Sequence, residues 1–512
     1  MSTNVVNSAR GLLVMTKQRS LLNSVKWAYS ANWGQKAFSS VITIVLASLL
    51  GPREFGIITI ALIYVSFIQM FLDQGFGAAL IQRKDLRTEH MDAVFWMDVA
   101  LSLVLIGLSI ACSRWWAAAN HIPQLSSIIS ALSLCILFEG LAVVQTALLK
   151  RDMDFKSLSV RTNASVLLGG FCGIVAAVMH LGVWALVIQE AVRDLTALIL
   201  LWRLGHWRPK LEFSWKHLRE LMGFSASNFV AQLAIFADAQ TGAILLGTLF
   251  GPVAVGLYRL ADRLTSGVVV AATSSIQAVS LPEFSRLQER PKELQASTRT
   301  FLRLSSSVTL PALGGLAAIG GPLMAVIGQQ WSLSSDVLKI LCVTGMISVL
   351  GFFTGPLLQA LNRPHHLAML EWTRAILGSS MLVVSALLVR HRPISWEIIG
   401  IALARFTTTA LVMAPVFLFL LIRLTKISAR DLFKSLMPSL AATAMTVGAV
   451  LAVQMSGYFA DGRPIIPLIT EVLIGAACGL TTLLYLDRQL RTFVVGLLRD
   501  SFGRRVAAAE PA

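Results

Sequence analysis

Apolar runs long enough to cross a lipid bilayer recur along almost the whole chain. Of its 512 residues, 55% are hydrophobic and 14% are charged, a composition too apolar for a soluble protein. A membrane-spanning helix needs about 20 mostly apolar residues. Fourteen runs meet this requirement, at residues 23–49, 55–81, 91–113, 122–148, 159–180, 182–202, 222–250, 254–280, 301–328, 334–361, 366–389, 395–422, 433–456 and 464–486. The sequence therefore predicts an all-α polytopic membrane protein with about 14 transmembrane helices.

Lysine and arginine are distributed unevenly between alternate gaps in this pattern. The gaps on the N-terminal side of the membrane, among them residues 149–161, hold 31 of the 43 basic residues, and the gaps on the other side hold five. Cytoplasmic loops of polytopic proteins carry such an excess. We therefore expect a multi-pass membrane protein with both termini in the cytoplasm. The net charge of +16 then reflects membrane topology rather than nucleic-acid binding.

Glycine–proline pairs interrupt the apolar pattern at related positions. The segment L-L-G-P-R-E-F-G at Leu49–Gly56 returns two hundred positions later as L-F-G-P-V-A-V-G at Leu249–Gly256. Such pairs mark the end of one helix and the start of the next. A third interruption, Gly320-Gly321-Pro322, predicts a break inside the ninth span.

The repeat at a fixed offset also predicts the domain organisation. Six spans separate the two copies, so both copies have the same orientation in the membrane and form a parallel repeat. This arrangement predicts two six-helix bundles related by a pseudo-twofold axis, followed by two additional helices. The expected segments are a cytoplasmic tail at 1–22, an N-terminal bundle at 23–220, a C-terminal bundle at 221–428, an additional helix pair at 429–487 and a cytoplasmic tail at 488–512.

Three segments carry a resemblance to a known family. Residues Ala47–Asp85, the A-V-F-W motif at Ala93–Trp96 and the L-L-K-R-D-M-D-F-K-S-L motif at Leu148–Leu158 resemble the polysaccharide-transporter family. Its members are lipid-linked oligosaccharide flippases of the MOP exporter superfamily. The lipopolysaccharide and exopolysaccharide repeat-unit exporters, the Wzx-like branch, are the most similar.

The resemblance implies a function and a mechanism. An undecaprenyl-pyrophosphate-linked oligosaccharide would cross the inner membrane by alternating access, through a central cavity lined by cations. The implied partners are the lipid-linked oligosaccharide and membrane lipid, with association with polysaccharide polymerase and export machinery as a further expectation. No cofactor, metal or catalytic residue is implied, and coupling to protons or sodium is expected from the family.

Seven cations remain inside the predicted spans once those already counted in the gaps are removed. An ionisable group at membrane depth costs about 3 kcal/mol or more on insertion scales, so it normally faces a partner or a wet cavity. Lys339 is predicted to lie at the outer interface, paired with Asp336. Arginine and lysine suit a pyrophosphate or an acidic sugar. The predicted substrate-binding residues are Lys36, Arg193, Arg259, Arg263, Arg374 and Arg405.

A purely structural role is an open alternative for several of these cations. The pairs Glu190–Arg193, Arg259–Asp262 and Glu371–Arg374 are spaced i, i+3, which is equally consistent with local ion pairs that neutralise each other. Lys36 and Arg405 have no acidic residue within four positions, so they are the strongest individual candidates.

Acidic residues inside the spans form a second group of candidates. Secondary transporters use such groups to relay protons or sodium ions. The predicted ion-coupling residues are Asp73, Glu190 and Asp238; the same group of acids includes Asp98, Glu139 and Asp194. Hydrogen-bonded packing against a neighbouring helix is the alternative role for Asp73 and Asp238.

Two other classes of function remain open from the sequence. A multidrug or small-molecule cation antiporter of the same superfamily would favour acidic rather than basic residues in its cavity. A polytopic polysaccharide polymerase or ligase usually carries a sizeable loop outside the membrane, and no gap between the predicted spans is that long. The sequence therefore favours a transporter over an enzyme.

Overall fold

The computed structural model describes the chain at residues 34–36, 38–72, 76–83, 85–205, 207–212, 214–215, 217, 225–456, 465–487 and 491. Within these residues the regular structure is helical, and no strand is present. The chain divides into two compact units, Met1–Arg259 and Leu260–Ala512. The predicted all-α class is thereby confirmed. The predicted bundle boundary at residue 220 falls outside the described residues and stays a prediction, as do the other segment boundaries.

In the part of the first unit that the structure describes, the chain forms nine helices and the start of a tenth. They are α1 (Gly34–Leu49), α2 (Pro52–Gln69), α3 (Phe76–Gln82), α4 (Thr88–Ala119), α5 (Leu125–Gly140), α6 (Val143–Arg151), α7 (Phe155–Val178), α8 (Val183–Leu204), α9 (Ser225–Phe250) and the first eight residues of α10 (Pro252–Arg286).

The second unit contains the rest of α10 and the later helices. These are α11 (Pro291–Ala318), α12 (Gly320–Ile327), α13 (Ser334–Ser348), α14 (Thr354–Ala360), α15 (Pro364–Val389), α16 (Ile394–Thr407), a π-helical segment (Thr408–Met413), α17 (Ala414–Thr425), α18 (Ala429–Met455) and α19 (Ile465–Leu486). Single 3-10 turns at Gln329–Trp331 and Val349–Gly351 precede α13 and α14.

Nine helical segments of the described chain are long and apolar enough to cross a membrane, with the runs Ser334–Ala360 (α13 and α14) and Ile394–Thr425 (α16 and α17) each counted as one. The number rises to as many as 12 if each of three bent pairs of helices is one span. Two further helices coincide with predicted spans. Helix α1 is shorter, and α8 carries Glu190, Arg193 and Asp194 within its apolar length. The multi-pass membrane architecture is confirmed, and the count of 14 stays a prediction.

The two glycine–proline pairs start α2 and α10, as the sequence predicts. Proline is suited to the first position of a helix, because the N–H that it lacks has no intrahelical partner there. The Glu54 carboxylate accepts a hydrogen bond of 3.1 Å from the Gly51 N–H at the start of α2. Gly251 has a φ of +85°, which favours glycine. Both helices therefore begin where the sequence repeat places them.

Two bends interrupt apolar helices. Helices α11 and α12 meet at an angle of 60° at Gly320, so the predicted break at the Gly-Gly-Pro segment is confirmed. Helices α5 and α6 meet at 42° across Leu141 and Ala142, inside the run 122–148 that the sequence predicts as one span. Beyond this second bend, α6 packs mainly against α3 and also contacts α4, α7 and α8.

The additional helix pair of the second unit packs on α11. Helix α18 lies along α11, and α19 lies against α18. Arg303 of α11 forms an ion pair with Asp487, which directly follows α19 and whose side chain is 1% exposed. Ser306 and Ser439 share a hydrogen bond of 3.0 Å between their hydroxyl groups. Polar contacts of side chains thus connect this pair to the rest of the second unit.

Candidate functional site

A cavity of about 600 Å³ lies among the helices of the first unit. Its walls come from the end of α2, from both short helices α3 and α6, and from α4, α5, α7 and α8. Its lining residues with charged side chains are Asp98, Glu139, Lys150, Arg161, Arg193 and Asp194. The cavity therefore combines three cations with three acids, inside helices that are otherwise apolar.

Arg193 lies on the α8 side of the cavity between two carboxylates. Its guanidinium forms an ion pair with Glu190, one turn earlier on the same helix. A second ion pair, of 2.9 Å from Nη2 to Oδ1, joins it to Asp194. The i, i+3 ion pair considered from the sequence is present, and the adjacent Asp194 adds a second negative charge to the same guanidinium.

Glycines of α7 allow α8 to approach closely at Arg193. A Cβ on Gly169 would lie 2.7 Å from the carbonyl oxygen of Gln189 and 2.8 Å from the Cβ of Arg193. A Cβ on Gly173 would lie 2.8 Å from the Cβ of Gln189. Contacts this short are not sterically tolerated, so only glycine permits this packing. The glycines of the apolar run 159–180 therefore help to fix the position of Arg193.

The L-L-K-R-D-M-D-F motif forms the corner between α6 and α7. Lys150, in the last turn of α6, lines the cavity. The Asp154 carboxylate caps the start of α7: it accepts hydrogen bonds of 3.1 Å from the Ser157 N–H and 2.6 Å from the Ser157 hydroxyl. These bonds lower the pKa of Asp154, because they stabilise its charged form. Met153, with a φ of +58°, makes the reversal between the helices.

Arg151, the next residue of the same motif, connects α6 to α3. Its Nη1 donates hydrogen bonds of 2.9 Å to the carbonyl oxygen of Leu80 and 2.5 Å to that of Arg83. The last carbonyl groups of a helix have no intrahelical partner, and a cation there also interacts favourably with the helix dipole. Arg151 therefore joins two short helices that both contribute to the cavity wall.

Arg161 is a cavity residue that the sequence did not identify. The charge pattern assigned it to the cytoplasmic loop 149–161, whereas the structure places it in the second turn of α7. Its Nη1 donates a hydrogen bond of 3.2 Å to the Thr146 hydroxyl of α6. The helix-start signal at Asp154 would have placed Arg161 inside a helix, but only the packing of α6 and α7 directs it to the cavity.

The acidic lining residues come from three helices. Asp98 of α4 is fully buried, and Glu139 lies at the end of α5, where the chain bends into α6. Asp194 belongs to α8. All three are among the acids that the sequence places inside spans. The fold thus brings acids from separate parts of the chain to the same cavity as Lys150 and Arg161.

The other predicted residues of the first unit lie elsewhere along its helices. Lys36 is half-buried on α1, and no ion pair involves it among the described residues. Arg259 donates a hydrogen bond to the Gln240 side chain of α9. Asp238 is half-buried on α9. Asp73 lies outside the described residues. Of the predicted substrate-binding residues, Arg193 lines the cavity, and of the predicted ion-coupling residues, Glu190 contacts it through Arg193.

The remaining predicted cations belong to the second unit. Arg374 forms an ion pair of 3.1 Å with Glu371 on α15. Arg263 is exposed on α10, and Arg405 is half-buried in the last turn of α16, immediately before the π-helical segment. Lys339 forms an exposed ion pair of 3.0 Å with Asp336, as the sequence predicts. The roles of these cations in binding stay predictions.

Curated relatives of the chain are named for the biosynthesis of succinoglycan, lipopolysaccharide and teichuronic acid. It is 27% identical to the succinoglycan biosynthesis transport protein ExoT of Rhizobium meliloti (strain 1021), over 64% of this chain and 66% of that protein, just under two thirds. It is 23% identical to the lipopolysaccharide biosynthesis protein WzxC of Escherichia coli (strain K12) and 24% identical to the teichuronic acid biosynthesis protein TuaB of Bacillus subtilis (strain 168). Each match covers 68% of this chain and 72% of the relative.

Solved structures with a similar fold are membrane transporters. The lipid II flippase MurJ matches with a TM-score of 0.71 at 13% identity, over 90% of this chain and 99% of that chain. An inward-facing multidrug resistance MATE transporter of the MOP superfamily matches with a TM-score of 0.60 at 14% identity, over 77% and 96%. At sequence identities this low, the matches show a similar fold alone.

The family of the chain is shown by a match of its sequence to a family model. A profile described as "Polysaccharide biosynthesis protein" matches residues 45–336, which is more than half of the chain. This range includes all three motifs that carry the family resemblance and every charged residue of the cavity lining. The chain therefore belongs to the polysaccharide biosynthesis protein family, and its fold is that of the MOP transporters.

Proposed function

We propose that this protein exports an undecaprenyl-pyrophosphate-linked oligosaccharide repeat unit across the bacterial inner membrane, for surface or exopolysaccharide synthesis. The observation that carries the proposal is the charged cavity among membrane helices in a member of this family. The relatives named a succinoglycan transport protein and a lipopolysaccharide biosynthesis protein support a lipid-linked saccharide as the substrate. The fold shared with a lipid II flippase supports the same class of cargo.

The chemistry of the cavity fits such a cargo. Ligand pockets are typically about 300–1,000 Å³ and use a few polar groups to orient what they bind. At about 600 Å³, the cavity has room for a pyrophosphate group and a sugar ring. Its cations suit phosphate oxygens, and its carboxylates suit sugar hydroxyl groups as hydrogen-bond acceptors. The lipid tail would remain in the bilayer while the polar part crosses by alternating access.

The wider set of cations and acids predicted from the sequence belongs to the same proposal. The cations would contact the headgroup and sugars at different stages of transport, and the acids would couple transport to protons or sodium ions. The binding set is Lys36, Arg193, Arg259, Arg263, Arg374 and Arg405, and the coupling set is Asp73, Glu190 and Asp238. Both termini would lie in the cytoplasm. Membrane lipid and the polysaccharide polymerase and export machinery are the proposed partners.

A cation antiporter of the same superfamily is the second candidate. The MATE-like fold and the three acids of the cavity favour it. An organic cation, however, gains nothing from Lys150 and Arg161, which are repulsive toward it. The names of the relatives also concern saccharides. The flippase is therefore the better-supported function.

Depletion of the protein in its own host separates the two candidates. If it is the flippase, lipid-linked repeat units accumulate on the cytoplasmic face, and surface polysaccharide falls. Mass spectrometry of extracted lipids, combined with a membrane-impermeant glycosidase or lectin on everted vesicles, measures this accumulation. Unchanged lipid-linked intermediates together with increased sensitivity to cationic drugs would favour the antiporter instead.

A further inference from the structure

We infer that Lys150 and Arg161 form the anion-binding subsite of the first-unit cavity and hold the phosphate oxygens of the lipid-linked substrate. The inference rests on the proposed function and specifies which side chains recognise the headgroup. Neither residue belongs to the set predicted from the sequence. Both come from the corner that the L-L-K-R-D-M-D-F motif forms between α6 and α7.

The first argument is the availability of positive charge. Arg193 lines the same cavity, but Glu190 and Asp194 both bind its guanidinium. A phosphate reaching Arg193 would meet two carboxylates that already bind its guanidinium. Lys150 and Arg161 bind no carboxylate in an ion pair within the described residues, and Asp194 and Glu139 attract Arg161 without contacting it in this way. The subsite for an anion therefore lies at the α6–α7 side of the cavity.

The second argument is the hydrogen-bonding state of Arg161. Its Nη1 donates to the Thr146 hydroxyl. Its Nε is buried and has no acceptor within the described part of the chain. A buried donor without an acceptor is unfavourable, so an incoming oxygen atom that accepts from it gains a charge-assisted hydrogen bond.

The third argument is the arrangement of the two cations on their helices. Thr146 and Lys150 are spaced i, i+4 on α6, so they share one face of that helix, and both line the cavity. Arg161 on α7 is tied to this face through Thr146. Arginine offers a planar fork of donors and lysine a mobile point charge, a combination that suits the oxygen atoms of a pyrophosphate.

The acidic residues of the cavity provide hydrogen-bond acceptors for the sugar beside the two cations. Asp98 and Glu139 line the cavity together with the two cations. Carboxylates repel phosphate but accept hydrogen bonds from sugar hydroxyl groups. The arrangement therefore matches a phosphate joined to a hydroxyl-rich ring, rather than an anion alone.

Binding measurements on the purified full-length protein in lipid nanodiscs test the inference. The probes are undecaprenyl pyrophosphate, inorganic pyrophosphate and glucuronate, the last representing the carboxylate of an acidic sugar. We expect Arg161→Gln and Lys150→Gln each to weaken undecaprenyl pyrophosphate binding by about tenfold or more, the effect of losing one charge-assisted hydrogen bond. Arg203→Gln, which removes an exposed arginine from the last turn of α8, serves as the matched control and should leave the Kd unchanged.

The outcomes separate this inference from the proposed function. If depletion causes lipid-linked intermediates to accumulate but both glutamine variants bind and export as the wild type does, the subsite is wrong and the function stands. If the variants lose glucuronate binding but keep pyrophosphate binding, the anion recognised is a sugar carboxylate, and the inference is overturned. If depletion causes no accumulation, the function fails regardless of the binding results.

A second substitution of Arg161 tests whether a loss of binding comes from misfolding of the variant. Arg161→Lys keeps the charge and loses the fork, so it should retain part of the affinity for pyrophosphate that Arg161→Gln loses. Equal thermal stability of the two variants, together with this difference in Kd, would assign the effect to binding. Equal Kd values for the lysine and glutamine variants at equal stability would contradict a role for the charge.

Discussion

Gly56 of α2 packs directly against the backbone of Pro252, and Gly256 of α10 packs against the backbone of Pro52 in the same way. A Cβ on Gly56 would lie 2.9 Å from the Cα of Pro252, and a Cβ on Gly256 would lie 3.0 Å from the Cα of Pro52. All four residues belong to the first unit. The two copies of the sequence repeat therefore contact each other reciprocally, each through the glycine that follows its own proline by four positions.

This contact predicts that neither glycine tolerates a side chain. Gly56→Ala or Gly256→Ala would force the two helix starts apart, and overpacking of this kind typically costs about 1–3 kcal/mol. We expect each variant to lower the thermal unfolding temperature of the purified protein and to reduce export. Gly107→Ala is the matched control, because a Cβ there meets nothing within 4 Å. Alanine at position 107 should be neutral or slightly stabilising; equal losses in all three variants would contradict the steric explanation.

The hydrogen bonds of Arg151 predict a local effect on the cavity wall. Arg151→Ala leaves the last carbonyl groups of α3 without this partner, so amide hydrogen exchange in α3 and α6 should increase while exchange in α11 stays unchanged. Under the proposed function export should also fall, because residues of both α3 and α6 line the cavity. Hydrogen exchange with mass spectrometry measures the first effect. Arg203→Ala should change neither quantity, and unaltered exchange in α3 would remove Arg151 from this role.

The cap formed by Asp154 predicts a dependence of stability on pH. Hydrogen bonds from Ser157 lower the pKa of Asp154 in the folded protein. A lowered pKa contributes stability that is present above the ordinary pKa of the carboxyl group and is lost as the pH falls through the folded value. Asp154→Asn keeps a good cap without this titration. The difference in unfolding temperature between wild type and variant should therefore be constant near neutral pH and change in strongly acidic buffer; a constant difference throughout would exclude the contribution.

The ion pairs that connect α11 to the C-terminal helix pair predict very unequal contributions. Arg303→Ala removes the ion pair of the buried Asp487, and breaking a buried ion pair from one side typically costs about 3–5 kcal/mol. Arg299→Ala breaks a 3.3 Å ion pair with Asp431 in which both side chains are about 40% exposed, and such pairs contribute about 0–1 kcal/mol. Unfolding in denaturant measures both variants. Similar losses of unfolding free energy in the two variants would show that the burial of Asp487 does not determine how much its ion pair contributes to stability.

Much of the architecture follows from the sequence because it depends on local patterns. The length and apolar composition of a run predict a membrane helix, and the Gly-Pro pairs fix where α2 and α10 start. The break at Gly320 likewise depends on residues that adjoin in the chain. Ion pairs such as Glu371–Arg374 and Asp336–Lys339 need only a single turn of helix to bring their charges together.

The composition of the cavity does not follow from such patterns. Arg161 belongs to a stretch that reads as a basic loop, and its contact with Thr146 exists only because α5 and α6 bend apart and α6 packs on α7. Arg151 reaches a carbonyl group 71 residues away, and Arg303 reaches a carboxylate 184 residues away. No local spacing encodes these distances along the chain.

The sequence by itself thus determined that this protein is a helical multi-pass membrane protein of its family and that charged residues lie within its apolar runs. The tertiary structure decided which of those charges face one cavity and which form ion pairs: Arg193 is bound by two carboxylates, whereas Lys150 and Arg161 form no ion pair within the described residues. The physical reason is that the helical period determines which side chains are neighbours within one turn, so these contacts can be read from the spacing of residues in the sequence. Contacts between helices depend instead on close packing, which the glycines at 56, 169 and 256 permit and which only the folded chain specifies.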